Sequence, residues 1–100
     1  MLPFSELIQL EKPVLVDFFA TWCGPCKMMS PILSDLKKRM GDSISIIKID
    51  VDKNPATAAS YQVQGVPALL LFKEGKLLWQ QAGVVPAAQL EKIIRQYTSL

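Results

Sequence analysis

The chain has no histidine, only two cysteines, five glycines and few charges of either sign. Each shortage excludes something. A structural zinc site draws four ligands, mostly from cysteine and histidine, and the donors here are too few. Eleven basic against nine acidic residues leave a net charge of +2, too small to argue for nucleic acid or an acidic surface. The densest basic cluster, Lys37-Lys38-Arg39, ends a predicted helix, where cations complement the helix dipole. No apolar run approaches the ~18 residues that a membrane span needs. The N-terminus lacks a basic segment followed by an uninterrupted apolar stretch, so it does not read as a signal peptide, and a cytoplasmic location is expected. No glycine-rich nucleotide motif occurs, so no cofactor is expected. There are no repeats or linkers. One hundred residues, half of them apolar, are expected to form a single domain over 1–100 with one packed core.

What is present is concentrated in one hexapeptide, Trp22-Cys23-Gly24-Pro25-Cys26-Lys27, which holds both cysteines. Ahead of it, Val14 to Ala20 reads as a strand covered on both faces, interrupted only by Asp17. Behind it, a helical pattern runs to Met40. Strand, C-x-x-C, helix is the setting of a redox-active pair. Cβ atoms at i and i+3 on a helix lie about 5–6 Å apart, against about 3.5–4.5 Å in a disulfide, a gap that an unlocked first turn can close. At the helix N-terminus, unpaired N–H groups stabilise a thiolate, so Cys23 is expected to be the more acidic, attacking thiol. Cys26, one turn in, is expected to be more buried and to act as the resolving thiol. Pro25 suits a first turn because its missing N–H costs little there. A purely structural disulfide is disfavoured, because so short a loop removes little unfolded-state entropy.

Along the chain, Phe4, Leu7 and Ile8 predict a short helix over Pro3–Glu11, stopped before Pro13. Asp17, inside an apolar strand, should be desolvated, with its pKa raised. Met28, Ile32, Leu36 and Met40, joined by Met29 and Leu33, predict a broad buried stripe on the long helix, with Pro31 inside it and Gly41 as its C-cap. Ile44–Ile49 reads as the next strand, with Lys48 breaking it as Asp17 breaks the first. Asn54-Pro55 opens a short helix. Ala68–Phe72 and Leu77–Gln81 form a hairpin around Gly75, and Pro86 opens a last helix with Leu90, Ile93, Ile94 and Tyr97 on its apolar face.

Phe18 to Lys27 resembles the active-site segment of thioredoxins, and Asp17, Pro31, Lys48, Asp50 to Pro55, Gly65-Val66-Pro67, Leu69 to Phe72, Gly75 and Gly83 extend the resemblance from Val14 to the C-terminus. It implies an α/β fold, a three-layer sandwich with a central mixed four-stranded sheet flanked by helices. It also implies a protein-disulfide reductase that passes electrons through a Cys23–Cys26 dithiol. Asp17 and Lys48 would lie close together behind Cys26, with Asp17 moving its proton. The Val66–Pro67 bond would be cis. Trp22, Gly24, Pro25, Val66, Pro67 and Gly83 would form the docking surface for disulfide-containing target proteins. A thioredoxin reductase, NADPH- or ferredoxin-linked, would supply the electrons. An oxidase or isomerase of the same fold is an alternative, although those usually carry a histidine between the cysteines; a thioredoxin-like binding module is another. Only Met1 and Leu2 precede Pro3, so the strand that usually comes first is expected to be missing. That would leave Ile44–Ile49 as an open edge suited to weak self-association.

Overall fold

The computed structural model describes residues 3–100. In chain order it contains α1 (Phe4–Leu7), β1 (Val14–Phe19), α2 (Gly24–Met40), β2 (Ser45–Asp50), α3 (Pro55–Ser60), β3 (Ala68–Lys73), β4 (Lys76–Ala82) and α4 (Ala87–Thr98). The strands lie in the order β2-β1-β3-β4. β1 pairs with β2 in parallel and with β3 antiparallel, and β3 pairs antiparallel with β4. Among the described residues the sheet is therefore mixed and four-stranded, with β2 at one edge. The question of a strand before α1 falls on Met1 and Leu2, outside the described residues.

Alternation along the central strands divides the core in two. Leu15, Leu69 and Leu71 point to one face and pack with Met29, Leu33, Leu36, Leu90 and Ile94 of α2 and α4. Val14, Val16, Phe18, Leu70 and Phe72 point to the other, under Ile8, Ala58, Phe4 and Tyr61. Asp17 shares the parity of Leu15, which aims it at the α2 side, where the cysteines lie.

Three expectations need correction. The helix predicted over Pro3–Glu11 spans only Phe4–Leu7. Beyond it the Ile8 and Leu10 carbonyls accept the Gly75 and Glu74 N–H groups at 3.0 and 3.2 Å, so the segment straps onto the β3–β4 turn instead of coiling further. Met28, assigned to the buried stripe, is 59% exposed. A fourth-residue row advances about 40° per step at 3.6 residues per turn, so Met28 sits about 120° round the axis from Met40. The stripe actually buried is Cys26, Met29, Leu33, Leu36 and Met40. On α4, Tyr97 is 47% exposed and Thr98 is buried, with its hydroxyl donating to the Ile94 carbonyl.

The turn between β3 and β4 has positive φ at Glu74 (53°) and Gly75 (83°). That pair of angles is the mark of a tight hairpin turn whose twist matches its strands. Phe4 closes the second core from above, its ring 5.5–6.1 Å from those of Phe18, Tyr61 and Phe72. Phe4→Ala should lower stability by about 1–2 kcal/mol, less than full burial would cost because Phe4 is only half-buried. It should leave disulfide reduction unchanged. Urea unfolding beside a reduction assay checks both.

Candidate active site

β1 delivers the chain to the site, and a turn closed by Cys23 N–H to the Ala20 carbonyl (3.2 Å) sets Cys23 as N-cap of α2. The Cys23 sulfur accepts the Cys26 N–H at 3.1 Å. A sulfur thus fills the place usually taken by a serine or aspartate oxygen, satisfying one of the helix's free donors. Cys23 and Cys26 are joined in a disulfide with their Cα atoms 5.3 Å apart. Pro25 stands in the first turn, as expected.

The expected difference in burial is not found, since both cysteines are buried. Cys23 is 4% exposed and Cys26 7%. Cys23 packs under the Val66 carbonyl, 3.6 Å from its sulfur, whereas Cys26 borders an open cleft. Any asymmetry between the sulfurs therefore comes from helix position and from what each faces, not from area.

That cleft, of about 290 Å³, lies behind the pair and is lined by Asp17, Cys26, Lys27, Ser30 and Lys48 with the Phe19–Thr21 turn. Asp17 is 2% exposed, and burial pushes its carboxyl from 3.8 to about 6, against a smaller downward pull from Lys48. Its Oδ1 is buried with no hydrogen-bond partner. Asp17 and Lys48 are partners in the β1–β2 register, as the sequence suggested. They form no ion pair, however, because the Lys48 ammonium donates instead to Ser30 Oγ at 3.3 Å.

On the outer side, Trp22 is 72% exposed, and its indole N–H donates to Asp52 Oδ2 at 2.9 Å. Asp50 Oδ1 in turn accepts the Asp52 N–H at 2.9 Å, fixing the β2–α3 loop. Trp22, Val51, Val63, Gly65 and Val66 line a shallow groove of about 320 Å³. The Val66–Pro67 bond is cis, and the Pro67 carbonyl accepts the Gly83 N–H at 2.8 Å. Gly83 has φ +98°, a conformation that favours glycine. A Cβ at Gly24 would meet nothing within 4 Å, so the space above the cysteine turn is open. Val66 packs against the cysteine pair, Trp22, Gly24 and Pro25 adjoin it along the chain, and Gly83 is tied to Pro67 next to Val66, while Asp17 and Lys48 line the cleft that Cys26 borders. Sequence reasoning missed Ser30 and Asp52. Helical spacing could have pointed to Ser30, four residues after Cys26; Asp52 lay inside the Asp50–Pro55 segment that carries the resemblance, with no role assigned to it. Among the described residues, no group of side chains is arranged to hold a metal ion.

Known proteins resemble this chain in sequence and in fold. The family model "Thioredoxin" matches residues 3–96. A thioredoxin-like protein of Synechocystis is 54% identical over 88 residues, covering 87% of this chain and 84% of that one. The chloroplastic thioredoxin Y2 of Arabidopsis thaliana is 49% identical over 88 residues, covering 87% of this chain. The chain spans only about half the length of that relative (53%). The solved structure of a mutant thioredoxin from Halobacterium salinarum superposes with a TM-score of 0.86 at 38% identity, covering 96% of this chain and 83% of that one.

Proposed function

The chain belongs to the thioredoxin family, and from that premise we propose how its residues share out the reduction of a disulfide. The protein is a thiol–disulfide oxidoreductase, reducing disulfides in target proteins through reversible interconversion of the Cys23–Cys26 dithiol and disulfide. Family members are reduced in turn by thioredoxin reductase.

In the proposed sequence, the Cys23 thiolate attacks one sulfur of the target disulfide. A mixed disulfide forms, and the other target sulfur leaves as a thiolate that takes up a proton. Asp17 accepts the proton of Cys26 across the cleft, which is roomy enough for a bridging water. The Cys26 thiolate then attacks the Cys23 sulfur, and the second target sulfur departs and is protonated. Two electrons have passed to the target, and the reductase returns two. A carboxyl titrating near 6 suits proton exchange near neutral pH better than an ordinary aspartate does. Lys48 offsets the charge of Asp17 when it is ionised. Trp22, Gly24, Pro25, Val66, Pro67 and Gly83 form the surface on which a target segment lies, with the groove beside Val66 taking its side chains. The cytoplasm, where thiols are kept reduced, is the proposed setting.

One observation carries this reading: a cysteine sulfur is the N-cap of α2 and already accepts a helix N–H. The test is Cys26→Ser, which leaves the attacking sulfur but removes the one that resolves. It should accumulate dithiothreitol-sensitive mixed disulfides with target proteins through Cys23. Absence of such adducts, with Cys23 still alkylatable, would count against the assignment of roles.

A further inference from the structure

We propose that Ser30 is a positioning residue whose hydroxyl holds the Lys48 ammonium on the α2 side of the cleft, away from the Asp17 carboxylate. Its functional meaning rests on the proposed part of Asp17 as proton acceptor, but the geometry stands on its own. A buried carboxylate oxygen without a partner is costly, so a lysine beside it is drawn to close onto it unless another group holds the cation. Asp17 and Lys48 occupy partner positions on adjacent strands, and Asp17 Oδ1 is unpaired. The ammonium has turned across the cleft mouth to Ser30 Oγ at 3.3 Å. Ser30 stands four residues beyond Cys26, one turn along the same face of α2, and both line the same cleft.

The groups facing Asp17 can be named element by element. β2 contributes Lys48, and α2 contributes Cys26, Lys27 and Ser30. β3 contributes Leu69, which carries no charge. Of the two cations, Lys48 is the one that lowers the Asp17 pKa. If Lys48 closed onto Asp17, the carboxylate would be favoured over the acid, leaving a weaker base for the Cys26 proton. Ser30 is thus placed to keep the carboxyl poised without touching either sulfur.

The test is a carbon-13 NMR titration of the Asp17 carboxyl in the oxidised protein, where neither cysteine titrates. Ser30→Ala should move the Asp17 midpoint down by about one unit. Ser30→Thr, which keeps the hydroxyl, should leave it in place. In a Lys48→Met background, Ser30→Ala should have no effect. In the reduced protein, the pH profile of the Cys26 step should move with the midpoint. An unchanged or raised midpoint in Ser30→Ala would overturn the proposal, as would an equal drop in Ser30→Thr or a drop that persists without Lys48. The Asp17 titration is read in the oxidised protein and involves no disulfide exchange, so the proposed function is judged separately by Cys26→Ser.

Discussion

Cys23→Ser should reduce the catalysed reduction of a protein disulfide by dithiothreitol to the rate of dithiothreitol alone. The reason is chemical. A serine hydroxyl stays protonated at neutral pH and, even when activated, forms no bond to sulfur that thiols could exchange. The sulfur at this position gains from two features together. It caps a 17-residue helix, whose dipole favours negative charge at that end. It also accepts the Cys26 N–H at 3.1 Å, a bond that becomes charge-assisted once the disulfide opens to a thiolate. Both favour a negatively charged sulfur at this position. In the reduced protein, Cys23 should therefore be the first sulfur alkylated by iodoacetamide at neutral pH. Cys26→Ser should retain that fast alkylation, whereas Cys23→Ser should lose it. Activity surviving in Cys23→Ser above the dithiothreitol background would mean that another group makes the attack.

Asp17→Asn should make the protein more stable at neutral pH while slowing its turnover. The Asp17 carboxyl titrates near 6 when folded, against 3.8 as its ordinary value. Between those values the folded chain holds a proton that the unfolded chain has lost. Stability contributed by this site therefore falls as pH rises from about 4 to 6, and above 6 the full cost persists. That difference in proton affinity corresponds to roughly 3 kcal/mol. Asparagine keeps the shape and removes the buried charge. At pH 7 its midpoint of thermal unfolding should rise by on the order of 10 °C. At pH 3, where Asp17 is protonated in both states, variant and parent should nearly coincide. The compensating loss should appear in turnover: without a carboxylate behind it, Cys26 deprotonates more slowly and mixed disulfides persist. A variant no more stable than the parent at pH 7 would show that the buried charge is accommodated by something other than a raised proton affinity.

How far the sequence carries the reader depends on the kind of constraint. The cysteine spacing, the charge at Asp17 inside an apolar strand and the glycine at the hairpin are local features with few physical explanations. The fold-level arrangement came from the family resemblance that such residues carry, with the continuous apolar runs of β1 and β3 marking the central strands. The long helix was legible in extent but not in rotation: a fourth-residue row looked like a face, and Met28 drifted out of it. The burial of Cys23 was missed because it is covered by Val66, a residue 43 positions away whose approach no local pattern announces. Likewise, the bonds from Trp22 to Asp52 and from Lys48 to Ser30 join elements that only the assembled sheet brings together. The register placed Lys48 beside Asp17; which partner its flexible head would choose was beyond any spacing rule.

The strap from Ile8 and Leu10 onto the Glu74–Gly75 turn lies at the end of the sheet farthest from the sulfurs, since β1 enters beside Phe72 and leaves toward Cys23. The molecule therefore has a working pole and an anchoring pole, joined by the two buried strands β1 and β3. A dye or surface tether mounted beside the anchor would leave the working face pointing outward, free to meet its visitors.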